Sequence, residues 1–191
     1  MSRGLPLQIM LYTITPANKL PPPEAIVWRY LDFPKFISML ELKQMPLARS
    51  DTFDDPYEGH WSKPTIAKLY AHSLSDQASS STAGMILRQP NTERVKHFIS
   101  CWHVNEHESA AMWKLYVGSG SGIAIKSTYG ALTDEISKSN ISACIVKVEY
   151  LDYLRQETPS DTSYDPYYHK RISFKHEEEL RVIAWASHSK K

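Results

Sequence analysis

Short runs rich in β-branched and aromatic residues recur along this chain at irregular intervals. The stretches between them do not follow the regular strand–helix–strand spacing of a parallel sheet. Ile26–Leu31 (IVWRYL), Phe98–Trp102 (FISCW), Ile123–Ile125 and the alternating Ile141–Leu151 read as strands. Met45–Arg49 and Lys175–Ala184 add two more. Asp32 caps a helix with Pro34 in its first turn and Phe36, Ile37 and Leu40 on one face. Residues 63–75 and His107–Val117 also carry helical spacing. This order predicts an α+β fold: a single domain on a mixed, mostly antiparallel sheet of five or six strands with flanking helices. The domain is expected over residues 26–187, after an extended, proline-bearing N-terminal arm at 1–25 and before a short tail at 188–191. SDQASSSTAG, from Ser75 to Gly84, is a low-complexity loop and the expected disordered stretch. A chain of 191 residues buries about 70% of its unfolded surface, so it needs neither a disulfide nor a metal to fold.

Charge narrows the partners. Twenty-two basic residues face 21 acidic ones, leaving +1, which excludes a broad nucleic-acid-binding surface. Two cysteines point to a reducing compartment. The first twenty residues lack the apolar core and cleavage site of a signal peptide. No apolar run approaches the roughly 18 residues of a membrane span. The expectation is a cytoplasmic protein with no membrane partner. Eleven Tyr and five Trp against five Phe favour half-buried surfaces such as clefts, where an apolar ring and a polar tip are both used.

Several clusters carry chemistry. On a strand, Glu177, Glu179 and Arg181 fall on one side, where two carboxylates and a guanidinium shift one another's proton affinity. The alternative is a solvated edge strand, but Val182–Trp185 runs on as core. Asp51, Asp54, Asp55, Glu58 and His60 could hold Mg²⁺ or Mn²⁺, as a metal-dependent nuclease or phosphodiesterase requires, or form a structural Asp-Pro turn, or a turn that faces a ligand; no metal ligand is assigned. Cys101, His103 and His107 lack the second ligand pair of a structural zinc site. A thiol nucleophile there lacks an orienting partner, which leaves a core Cys101 beside a cleft-lining His103. Gly118–Gly122 follows a helix and precedes a strand, so it reads as a helix end rather than a phosphate cradle. Trp113 and Tyr116 share a helical face and either wall a planar ring or pack.

Four blocks together carry a resemblance: Tyr30 with its following helix; Phe53–Gly59 (FDDPYEG); Ser100–Ile125, with SCWH, ESAAMWKLY and GIAI; and Phe174–Arg181 (FKHEEELR). Over roughly residues 26–185 the chain resembles the family catalogued as domain of unknown function 2971, which implies a shared fold and cleft but no reaction. Glu177-x-Glu179 is also similar to the glutamate motif of ADP-ribosyltransferases. There the last Glu holds a ribose hydroxyl of NAD and stabilises an oxocarbenium-like centre, with an Arg on the first strand and a Ser/Thr patch on the second. Arg29 and Ser50-Asp51-Thr52 stand in that order here, although the latter is not the Ser-Thr-Ser pattern. The resemblance implies a nucleotide or NAD as ligand and Glu179 as the catalytic carboxylate, with Glu177 positioning the nucleophile. Arg29 would hold a phosphate or ribose, supported by Ser50. Tyr30, Asp55, Glu58, His103, Trp113, Tyr116 and Arg181 complete the expected ligand site. Two other readings stay open. One is the metal-dependent nuclease; the other is a non-catalytic protein-binding module of a bacterial-type phage-defence or toxin–antitoxin cassette, whose Tyr-rich loop at 153–168 recognises protein.

Overall fold

Five strands lie side by side in the order β4–β1–β3–β8–β5, with the two-residue β2 also paired to β3. The computed structural model describes residues 19–75, 92–139, 141–159, 162 and 164–185. Most of the expected N-terminal arm (1–18), most of the low-complexity loop (76–84) and the tail after residue 185 therefore lie outside the described residues. In chain order the elements are β1 (Ile26–Asp32), α1 (Phe33–Leu42), β2 (Ala48–Arg49), α2 (Lys63–Ser75), β3 (His97–Val104), α3 (Ala110–Tyr116), β4 (Gly122–Thr128), α4 (Tyr129–Lys138), β5 (Ala143–Lys147), β6 (Glu149–Leu151), β7 (His169–Arg171) and β8 (Glu179–Trp185). Every pairing in the large sheet is antiparallel; β6 and β7 form a separate parallel pair. The expected α+β architecture is the one found. No helix of the described residues is long and apolar enough to cross a membrane.

Alternation gives the sheet two different faces. Val27, Trp102, Ala143, Ile145, Leu180, Val182 and Ala184 point to one, where Leu132 and Ile136 of α4 close over them. Burying each of these two side chains contributes roughly 1.5–3 kcal/mol. The opposite face carries Ile99, Cys144, Val146 and Ile183 with Tyr167. It also carries the polar residues that register brings together, since β3 and β8 pair Cys101 with Arg181 and His103 with Glu179.

Several elements differ from expectation for identifiable reasons. The expected strand 141–151 is two strands: Val148 N–H still donates to Glu179 O on β8, but Glu149 N–H turns to Tyr168 O and the chain goes on beside β7. β2 shrinks to Ala48–Arg49 because Pro46 has no N–H to give a ladder. The last strand starts only at Glu179, after a 3-10 segment at Ile172–Glu177 and a left-handed Glu178 (φ 37°). α3 begins at Ala110, where the Ser109 side chain accepts from Met112 N, and ends at Gly118 in the left-handed region (φ 63°). α4 was not foreseen. Its signals were a Thr128 cap, which accepts from Ala131 N, and the i,i+4 pair Leu132 and Ile136. The end of the arm belongs to the domain: Leu20 packs on the core, and Gly130 N–H donates to Pro23 O. In the Tyr-rich loop, Tyr153 and Tyr167 are buried core residues, and the loop ends in β7.

Candidate functional site

A cleft opens where the sheet changes partners. β1 pairs with β3 at Val27↔Val104 and Trp28↔His103, then follows β4 for its whole length. β2 pairs with the other half of β3, at Ala48↔Ile99 and Arg49↔Phe98. Between these two contacts the edge of β3 around Cys101 is left without a neighbouring strand among the described residues. The cleft there measures about 250 Å³ and is walled by Leu47, Phe53, Ile99 and Tyr116, with Arg29, Tyr30 and Cys101 along it.

Arg29 is only 7% exposed. Its Nη2 donates to the carbonyl of Pro46, and its guanidinium lies 5.7 Å from the centre of the Trp102 ring. Among the described residues Nε and Nη1 have no hydrogen-bond partner. Neither Asp32 nor Asp54 pairs with it: Asp32 caps α1 through Lys35 N and holds the Lys35 ammonium. Burial without a counter-charge pulls the Arg29 pKa down to about 10.

Tyr30, Cys101 and Tyr116 are shared between this cleft and a smaller recess behind it, also lined by His103, Glu177 and Glu179. The recess measures about 10 Å³. His103 Nδ1 lies 2.7 Å from Glu177 O and so donates to it, leaving Nε2 to accept from Asn105 Nδ2 at 3.3 Å. Tyr30 Oη accepts from Ser109 N at 2.7 Å, and its ring takes Trp113 edge-on at 5.2 Å.

Behind the recess lies a buried ion cluster. Lys170 Nζ bridges Glu177 Oε2 at 2.5 Å and Glu179 Oε2 at 3.2 Å. Arg181, fully buried, donates from Nε to Glu179 Oε1 at 2.9 Å and through both terminal nitrogens to Glu58, at 2.7 and 3.0 Å. Three carboxylates thus meet two cations. The two sequence-neighbouring glutamates diverge. Burial would raise Glu179, but Arg181 and Lys170 outweigh it and hold its pKa at about 2. Burial, reinforced by the charge of Glu179, raises Glu177 above the ordinary carboxyl value. Burial, then the Glu179 charge, pushes the Cys101 thiol well up, which argues against a thiolate nucleophile.

The expected site residues therefore divide. Arg29, Tyr30, His103, Tyr116, Glu177 and Glu179 line the cleft or its recess. Trp113 packs on Tyr30 and donates to Glu108 Oε2. Ser50 does not reach the cleft: it is fully buried and its Oγ donates to Arg94 O at 2.7 Å. Asp55 and Glu58 are committed to Arg171 and Arg181, and Asp51 to Arg49, so the acidic loop ties the molecule together. Arg181 likewise sits in the ion cluster rather than against a ligand. Among the described residues no group of three or more His, Cys, Asp or Glu side chains is placed to hold a metal ion. Lys170 was missed altogether, because the only signal in sequence is one Lys between two basic-looking neighbours in a short run. No family model, curated protein or solved structure matches the chain.

Proposed function

We propose that this chain is an enzyme that binds an anionic, nucleotide-like small molecule in the cleft between β1 and β2 and transfers part of it by acid–base chemistry, on an ADP-ribosyltransferase-like plan. The observation that carries this reading is Arg29. A buried guanidinium with two unbonded nitrogens is costly to hold, and an anion in the cleft supplies the missing counter-charge. At about 250 Å³ the cleft is near the lower end of the roughly 300–1,000 Å³ usual for small-molecule sites. It would enclose the reacting nucleoside part of a ligand and leave the remainder of a dinucleotide outside. NAD is the form of that ligand which the Glu-x-Glu resemblance implies.

Within this reading the group that exchanges a proton with the reactants is Glu177. Both oxygens of Glu179 are spent on Arg181 and Lys170, whereas Glu177 spends only Oε2. A raised carboxyl beside a permanently ionised one is the arrangement by which acid–base roles are separated. The test screens NAD, ATP and cyclic nucleotides for both a thermal shift and product formation. At least one should raise Tm and be consumed, and Glu177→Gln should fold normally while cutting turnover by about 10²–10⁴-fold. No shift and no product with any of them overturns the reading.

A further inference from the structure

The recess behind the cleft has the size and the free valences of a one-water site. Its volume is about 10 Å³, close to the minimum of roughly 10–15 Å³ at which a cavity takes a water, provided two to four polar partners face it. Those partners are on its walls. Among the described residues Glu177 Oε1 is not engaged, since Lys170 takes Oε2. Tyr30 Oη accepts from Ser109 N, so its own O–H remains to donate. His103 Nε2 is an acceptor held only by a long contact from Asn105. Tyr30, Cys101 and Tyr116 line both the recess and the cleft, so a water in the recess lies next to whatever the cleft holds.

We infer that this recess binds a single water molecule and that this water is the acceptor in the reaction, making the protein a hydrolase of its cleft-bound ligand rather than a transferase to a second molecule. The inference rests on the proposed function of the cleft. In the step, the water oxygen forms a bond to the electrophilic centre of the ligand. The bond from that centre to its leaving group breaks, and the electron pair departs with the leaving group. The proton lost by the water passes to Glu177 Oε1 and from there to the leaving group or solvent. No oxidant, reductant or third reactant is needed. A recess of this size holds one water and leaves no room for a sugar or a protein side chain as acceptor.

Two measurements decide it. The first is a high-resolution crystal structure of the ligand-free protein. It should show one ordered water within hydrogen-bond distance of Glu177 Oε1 and the Tyr30 hydroxyl, retained in Glu177→Gln. A recess filled by a side chain, or a water bonded to neither group, overturns the inference. The second is turnover of NAD, ATP and cyclic nucleotides in ¹⁸O-enriched water, with products weighed by mass spectrometry. Incorporation of one ¹⁸O per turnover, lost in Glu177→Gln, supports it. Turnover without ¹⁸O overturns the water as acceptor and leaves the nucleotide-using enzyme standing. No turnover at all, with the ordered water present, instead overturns the proposed function and with it the water's role as a substrate.

Discussion

Glu177 and Glu179 are two residues apart and share Lys170, yet their surroundings drive them in opposite directions. Glu179, held at about 2 against an ordinary 4.5, contributes stability that is present above about pH 4.5 and lost as the pH falls towards 2. Glu177 is raised above 4.5, so its contribution is full below that pH and is lost as the pH rises through its raised value. Melting curves from about pH 3 to about pH 8 should therefore show Glu177→Gln gaining on the wild type as pH rises. Identical pH profiles would mean that Glu177 ionises as freely as in the unfolded chain. Glu179→Gln leaves Arg181 and Lys170 short of an anion inside the core. It should cost about 3–5 kcal/mol, seen as a lowered midpoint in urea. Arg29→Met has the opposite sign. It removes a buried cation with no counter-charge at the expense of one bond to Pro46 and the contact over the Trp102 ring, so ligand-free Tm should be at or above wild type while any response to nucleotide disappears. A clear fall in Tm would make Arg29 a structural residue.

At the scale of elements, the cleft exists because β2 is short and β1 turns away from β3 after Trp28. Pro46 and the capped start of α1 at Asp32 both follow from local rules, but the gap they leave is visible only once the strands are in register. α4 presents the converse case. Its cap and apolar pair were readable in sequence, yet the ten-residue segment Tyr129–Lys138 is polar on the whole, with Leu132 and Ile136 its buried residues. Thr128→Ala should cost about 1 kcal/mol and Leu132→Ala about 2–5 kcal/mol, both measurable by denaturant titration. Equal, negligible losses would show that α4 is not part of the cooperative core.

For the molecule as a whole, the ion cluster joins pieces that are distant in sequence. Glu58 lies in the acidic loop, Lys170 on β7, and Glu179 and Arg181 on β8. Arg181 also donates to Tyr167 O, so one side chain fastens the loop, the tyrosine-bearing turn and the sheet. Glu58→Ala should destabilise by about 3–5 kcal/mol and speed amide exchange at Glu58 and His60, whose N–H groups bond Asp55 O and Tyr57 O in that loop. Faster exchange spread evenly over the sheet, with the loop unchanged, would place the cluster's role elsewhere.

Local pattern sufficed for much of this. Short runs rich in Ile, Val and aromatics marked the strands of the large sheet, and their irregular spacing marked it as mostly antiparallel. Alternation put Cys101 with His103, and Glu177 with Glu179 and Arg181, on common faces; it holds for Glu179 and Arg181 on β8, whereas Glu177 lies on the 3-10 segment before that strand. What alternation cannot convey is which side chain is left unpaired after packing. Glu177 and Glu179 are alike in sequence; only the arrival of Arg181 and Lys170 around one of them separates their chemistry. Arg29 is one of many basic residues until burial denies it a partner, and Asp55 and Glu58 look like metal ligands until Arg171 and Arg181 reach them. Charge pairing acts over a few ångströms in space and takes no account of distance along the chain, so the site's electrostatics were decided by the tertiary structure alone.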